Sequence, residues 1–141
     1  MTAADLQAFL GTAFPQVSEV FRVEDVAPMR LRVRMPVDDG HLRPGGTVSG
    51  PSMFALADVG MYLAVLAMIG PEALAVTTSC HIDFMRKPAA GCDLIAEARV
   101  LKLGRALAVG DVMIWSDGTD DPVAHASLTY SIPPRRGSQG A

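Results

Sequence analysis

One carboxylate stands in the most apolar part of the chain. Between Arg43 and Glu72 the only charged side chain is that of Asp58, within the run from Met53 to Ile69. Burying a lone carboxylate in such a segment costs several kcal/mol unless it is paired. A chain that keeps one there usually uses it, so Asp58 is the first candidate for chemistry.

Other residues of catalytic type give weaker signals. No serine lies in the Gly-x-Ser-x-Gly turn that exposes a nucleophilic serine. Cys80 and Cys92 are interpreted as inert core or strand residues, and His81 and His125 as strand-surface residues. No spacing of histidine, cysteine and carboxylate residues indicates a metal site.

Composition narrows the class of protein. The 141 residues fit one domain, and their formal net charge of −3 gives no indication of nucleic-acid binding. The N-terminus lacks the regions of a secretory signal, and two cysteines are too few for a disulfide framework, which predicts a cytoplasmic protein. Because 50% of the residues are hydrophobic, we expect an obligate oligomer whose interface absorbs the excess.

Periodicity predicts the elements that position Asp58. Thr2 is a suitable cap for an amphipathic N-terminal helix. Pro51 and the pair Gly70-Pro71 are start and stop signals for a long core helix. As a membrane span this helix would be near the lower limit of length, and no Lys or Arg residues flank it, so a core helix is favoured. The predicted helices cover residues 3–14 and 51–69, and the predicted strands cover 20–26, 29–35, 73–85, 92–103, 105–116 and 122–132.

The last three strands share a face of small or aliphatic residues. Small residues let a bulky element lie close, and the only bulky apolar element is the helix at 51–69. We therefore expect an α+β fold in which a curved antiparallel sheet, ending in a four-strand meander, wraps one long central helix. Residues 1–132 would form this single domain and 133–141 a flexible tail. The shared face comprises Leu94, Ala96, Ala98, Val100, Ala108, Gly110, Val112, Ile114, Ala124, Ala126 and Leu128.

The segment 43–58, RPGGTVSGPSMFALAD, resembles the acyl-CoA thioesterases of the phenylacetate-degradation type, which have the hotdog fold. Their signature runs Asn, two residues, Gly, two residues, His-Gly-Gly and then a helix bearing Leu-Ala-Asp. Gly46, Gly50 and the Leu-Ala-Asp ending at Asp58 match in register, whereas Arg43, Ser49 and Pro51 replace the Asn, the His and the last Gly. The resemblance, with further similar residues in the later strands, covers about residues 28–132.

The resemblance implies roles for individual residues. Asp58 would activate water, the Gly50 N–H would polarise the thioester carbonyl, and the Thr77 hydroxyl would help to place the water. Gly50 and Asp58 lie about 12 Å apart along one helix, so the glycine of one subunit would face the aspartate of another, as in the family. The implied substrate-binding residues are Arg43, Ser49, Phe84, Arg86, Lys87 and Arg105.

Strand alternation predicts that the Thr77 side chain points away from the site, which disagrees with the role that the resemblance implies. Counted along its strand, Thr77 shares a polar face with Ser79, His81 and Asp83. A bulge or the subunit interface would be needed to bring it to the site.

The prediction is hydrolysis of an aryl or medium-chain acyl-CoA to the free acid and coenzyme A. The enzyme would be a homodimer, or a tetramer built as a dimer of dimers, with no cofactor beyond the coenzyme A of its substrate and no nucleic-acid or membrane partner. One alternative is a hotdog dehydratase or hydratase that pairs His41 with Asp58. Another is a non-catalytic acyl-CoA-binding protein in which Arg43 and Ser49 mark lost catalysis.

Overall fold

The computed structural model describes residues 1–37 and 48–134, and its elements follow the predicted order. The one element not predicted is a single helical turn, α2. The elements are α1 (Ala3–Ala13), α2 (Pro15–Ser18), β1 (Arg22–Ala27), β2 (Arg30–Met35), α3 (Gly50–Ile69), β3 (Val76–Phe84), β4 (Leu94–Leu103), β5 (Leu107–Ser116) and β6 (Ala124–Ser131).

The strands form one antiparallel sheet in the order β1-β2-β4-β5-β6-β3. Strands β4, β5 and β6 form a meander, but β3 pairs with β6 and not with β4, so the expected four-strand meander is wrong. The segment 85–93 is too long for a tight hairpin. It passes over the ends of β6 and β5, where the Met85 N–H donates to Val123 O (2.8 Å) and the Ala89 N–H donates to Ser116 Oγ (2.8 Å). The chain therefore enters β4 beside β2.

Helix α3 fills the concave side of the sheet, as the sequence predicted. Every member of the predicted small-residue face is buried. Although α3 is long and apolar enough to cross a membrane, 61% of its apolar window is buried inside the fold, which is typical of a core helix. Gly110 permits the closest approach, because a Cβ there would overlap the Met61 side chain and the Arg99 carbonyl oxygen.

The N-terminal helix closes one end of this core. Thr2 and Asp5 form a capping box, with the Asp5 N–H donating to Thr2 Oγ1 (3.1 Å) and the Thr2 N–H donating to Asp5 Oδ2 (2.9 Å). Leu6 and Leu10 are buried. The Phe14 ring meets the Tyr62 ring of α3 edge to face at a centroid distance of 5.7 Å. Helix α1 and the Phe14 residue that follows it therefore pack beside the middle of α3.

We expect Gly110→Ala to lower the free energy of unfolding by about 2 kcal/mol, because the added methyl group overpacks the contact between α3 and the sheet. Chemical denaturation measures this change. Gly60→Ala is the matched control, since its Cβ would lie 3.5 Å from Val33 Cγ1, an ordinary contact. Equal stability of Gly110→Ala and the wild type would contradict this packing.

Candidate functional site

Asp58 is half-buried on α3 and is held by two hydroxyl groups. Thr77 Oγ1 donates to Asp58 Oδ1 at 2.5 Å. The Tyr130 hydroxyl lies 2.6 Å from the same oxygen and 2.8 Å from the Asp58 backbone carbonyl oxygen. Among the described residues no donor bonds Asp58 Oδ2. One carboxylate oxygen is therefore occupied and the other is available.

Thr77 reaches Asp58 because of a β-bulge. Thr77 pairs with Tyr130 and Ser79 pairs with the adjacent Thr129, so Thr78 is an extra residue in β3. The bulge reverses the alternation, and Thr77 shares the inward side with Tyr130 while Ser79 keeps the outward side. The Thr78 hydroxyl donates a hydrogen bond to Thr129 O at 3.3 Å. Regular alternation placed Thr77 on the polar face, and that interpretation is wrong. The bulge directs its side chain to the inner face.

Tyr130 was not predicted from the sequence to be a site residue. It continues the inward row of Ala124, Ala126 and Leu128 on β6 and is itself buried. A buried tyrosine at the end of an otherwise apolar row needs a partner for its hydroxyl, and that signal could have identified it. Burial, followed by the charge of nearby Asp58, raises the pKa of Tyr130 well above its ordinary value. The phenol therefore stays protonated and acts as a donor.

An apolar cavity of about 490 Å³ opens beside Asp58, and we call it the Asp58 cavity. Its walls come from the N-terminal helices, from α3 and from the β3–β6 pair. Tyr62 stands between Phe14 and Tyr130, and its ring centroid lies 6.2 Å from that of Tyr130. The cavity is lined by Leu10, Phe14, Val17, Asp58, Val59, Tyr62, Ala73, Ala75, Val76, Thr77 and Tyr130.

The start of α3 leaves one backbone donor free. The Ser49 hydroxyl caps the helix by accepting from the Ser52 N–H (3.3 Å), and the Met53 N–H donates to Ser49 O (3.2 Å). Pro51 has no N–H. Of the first-turn groups, the Gly50 N–H alone lacks an acceptor among the described residues. It lies at the positive end of the helix dipole, where a developing negative charge is stabilised.

A second cavity, of about 330 Å³, surrounds Gly50, and we call it the helix-start cavity. Three of the predicted substrate-binding residues, Phe84, Arg86 and Lys87, line it together with Gly50. Arg86 is anchored by a 2.8 Å bond from Nη1 to Pro122 O. This cavity combines a free helix N–H with two cations, a combination suited to an anionic or polarised oxygen.

Of the remaining predicted site residues, the structure describes only Arg105. Arg105 is exposed in the β4–β5 turn, where the Ile132 N–H donates to Ala106 O. Arg86 N–H instead approaches Val123 O, at the other end of β6. Arg43 and His41 fall outside the described residues, as does the tail beyond residue 134. Within one chain, the structure does not bring Arg105 to the helix-start cavity.

Histidine and metal chemistry find no support in the described parts of the chain. His81 is exposed and bonds Asp83 at 3.2 Å, and His125 bonds Asp111 at 3.1 Å on the outer face of the sheet. Within residues 1–37 and 48–134, no group of three or more histidine, cysteine or carboxylate side chains could hold a metal ion. Among the described residues, the groups that remain as candidates for chemistry are Asp58, its two hydroxyl donors and the Gly50 N–H.

Comparisons with known proteins give a consistent result. A sequence model described as "Thioesterase superfamily" matches residues 45–123. A protein of Pseudomonas aeruginosa, assigned as an esterase, is 32% identical over 107 residues, covering 76% of this chain and 78% of its own. A solved structure from Silicibacter sp. TM1040, assigned as a thioesterase, is 55% identical with a TM-score of 0.88, covering 94% and 92%. A variant of the phenylacetic acid degradation protein PaaI from Thermus thermophilus is 32% identical with a TM-score of 0.73, covering 84% and 99%.

The charge of Asp58 affects the pKa of the Cys80 thiol. Burial, followed by the Asp58 charge, raises the pKa of the Cys80 thiol, and only the thiolate is alkylated readily. We expect Asp58→Asn to lower that pKa and so to speed alkylation of Cys80 by iodoacetamide at pH 8. Mass spectrometry follows both cysteines, and Cys92 is the internal control. An unchanged Cys80 rate would contradict an effect of the Asp58 charge on the Cys80 thiol.

Proposed function

We propose that this chain, which belongs to the thioesterase superfamily, hydrolyses an acyl-coenzyme A to the free acid and coenzyme A. The predicted hotdog fold and the resemblance to PaaI-like thioesterases are confirmed by the similarities above. The observation that carries the proposal is the Asp58 carboxylate, which lines an apolar cavity. It is bonded through one oxygen, and the other has no donor among the described residues.

In the proposed mechanism Asp58 is the general base. Asp58 Oδ2 takes a proton from water while the water oxygen attacks the thioester carbonyl carbon. The carbonyl electron pair moves onto oxygen, giving a tetrahedral oxyanion. When the carbonyl re-forms, the C–S bond breaks, and the thiolate leaves and takes up a proton from the Asp58 carboxylic acid. No cofactor beyond the coenzyme A of the substrate takes part.

The oxyanion requires a hydrogen-bond donor, and the two donors described beside Asp58, the Thr77 and Tyr130 hydroxyl groups, are already bonded to its carboxylate. The Gly50 N–H suits the role, but the rise of an α-helix puts it about 12 Å from Asp58 along α3. We therefore propose that the helix-start cavity of one subunit faces the Asp58 cavity of a second subunit. Each dimer then has two composite sites, related by its two-fold axis.

Surface properties support a dimer. Strand β3 is an edge strand, and its outer side has no strand partner among the described residues. Phe54, Val76 and Phe84 are large, apolar and exposed around this edge and the adjoining turn of α3. An exposed apolar edge of this kind is a liability for a monomer. A homodimer covers it, and a dimer of such dimers is the larger assembly we propose.

The two cavities suit the two ends of an acyl-CoA. The Asp58 cavity has the size and apolar lining to take an aryl or medium-chain acyl group. Arg86 and Lys87 beside the helix start suit the phosphates of coenzyme A, and Arg43, Ser49 and Arg105 remain proposed contacts. We also place the enzyme in the reducing cytoplasm, which the free thiols of Cys80 and Cys92 support.

Hydrolysis is favoured over the two alternatives. The relatives reported above are assigned as esterases or thioesterases, which favours hydrolysis over hydration or dehydration. A non-catalytic binding protein would have no need to keep a carboxylate in an apolar helix, where its burial costs free energy.

We expect Asp58→Asn to lower kcat for thioester hydrolysis by about two orders of magnitude or more, the usual scale for a lost general base. The assay measures free thiol from a panel of aryl and straight-chain acyl-CoA substrates. His41→Ala is the discriminating control, because hydrolysis should tolerate it whereas a dehydratase would lose nearly all activity. Near-normal turnover by folded Asp58→Asn would remove Asp58 from the mechanism.

We expect Gly50→Pro to lower kcat by roughly 10² to 10³, the usual effect of losing one oxyanion donor. Proline suits the first turn of a helix, and Ser49 already has the extended conformation that precedes proline (φ −73°, ψ 154°). Gly50→Ala is the matched control, because it keeps the N–H and its Cβ would lie 3.4 Å from the Phe84 ring. Equal rates for the two variants would show that the N–H is not used.

A further inference from the structure

Tyr130 contacts the proposed base from a fixed direction. It lies opposite Thr77 on the neighbouring strand. The regular alternation of β6 directs the Tyr130 side chain toward α3, and the bulge in β3 directs that of Thr77 to the same side. The Tyr130 ring is buried, and the ring of Tyr62 packs beside it at a centroid distance of 6.2 Å. A rigid ring on a central strand of the sheet therefore presents its hydroxyl to Asp58.

The two hydroxyl bonds occupy the same oxygen of Asp58. A carboxylate oxygen has about two lone-pair directions for hydrogen bonds. Thr77 Oγ1 at 2.5 Å and the Tyr130 hydroxyl at 2.6 Å use both directions of Oδ1. No donor among the described residues reaches Oδ2, so its lone pairs can accept from a water molecule. The pair of donors thereby selects which oxygen can act as the base.

The second contact of Tyr130 does not explain its placement. The hydroxyl also lies 2.8 Å from the Asp58 carbonyl oxygen. That carbonyl is in the middle of α3, where the N–H four residues later is its regular partner. The helix does not need the phenol, whereas the Asp58 carboxylate would lose one of its two donors without it.

We propose that Tyr130 is a positioning residue that, together with Thr77, fixes the Asp58 carboxylate with Oδ2 directed toward the attacking water. This inference rests on the proposed function of Asp58 as the base. Tyr130 does not contact the substrate carbonyl or exchange a proton in this account. Its contribution is to restrict rotation of the carboxylate, so that the base is already oriented when the thioester binds.

A double-mutant cycle tests the inference. Thiol release is measured for the wild type, Tyr130→Phe, Asp58→Asn and the double variant, with kcat and KM determined separately. We expect Tyr130→Phe to lower kcat roughly tenfold with KM within about twofold, since orientation and not binding is lost. In the Asp58→Asn background the same change should have almost no further effect, because the oriented base is already absent.

The control is Tyr62→Phe, which removes a buried hydroxyl bonded to Ala73 O (3.3 Å) and not to Asp58. Its effect on kcat should be the same in both backgrounds. If Tyr130→Phe costs the same factor in both backgrounds, or costs nothing in the wild type, its role is structural and the inference is overturned. If the wild type hydrolyses no substrate of the panel, the proposed function fails first and the inference fails with it.

Discussion

The site depends on stabilising one half-buried carboxylate, that of Asp58, on an apolar core helix. Removing a charge from water costs several kcal/mol unless donors replace the lost hydration. Thr77 and Tyr130 supply two such donors to Asp58, and hydrogen bonds to a charged group contribute roughly 1.5 to 3 kcal/mol each. The bulge in β3, the inward end of β6 and the small residues that let α3 lie close are all required for these two bonds to form.

The rigidity of α3 sets the second constraint. The helix carries the proposed base in its middle. At its start it carries the Gly50 N–H, which has no acceptor among the described residues. No bending that a packed core helix tolerates would bring these two groups onto one carbonyl. The capping by Ser49 and the absence of an N–H on Pro51 leave the Gly50 N–H as the donor, directed away from its own chain's Asp58. The same helix can therefore serve two different active sites.

Sequence reasoning predicted the elements better than their pairing. The hydrophobic periods placed α3 and the strands, and the small-residue face from Leu94 to Leu128 is buried as expected. The pairing of β3 with β6 depends on where the segment 85–93 crosses the sheet, and no local signal gives that path. The resemblance placed Thr77 in the site, whereas strand alternation alone placed it on the polar face, because alternation does not show that a single bulge residue, Thr78, reverses the pattern. The inward orientation of Tyr130 could be predicted from the alternation along β6, but its bond to Asp58 depends on the register between β3 and β6.

The most direct test of the account asks whether Gly50 and Asp58 act across subunits. Chains carrying Asp58→Asn and Gly50→Pro, each with its own affinity tag, are co-expressed, and oligomers that bear both tags are purified. Each mixed dimer then contains one site with an intact glycine facing an intact aspartate. The account predicts thiol release by the mixed oligomer at least about tenfold above either variant alone. A mixed oligomer as inactive as its two parents would contradict a site shared between two chains.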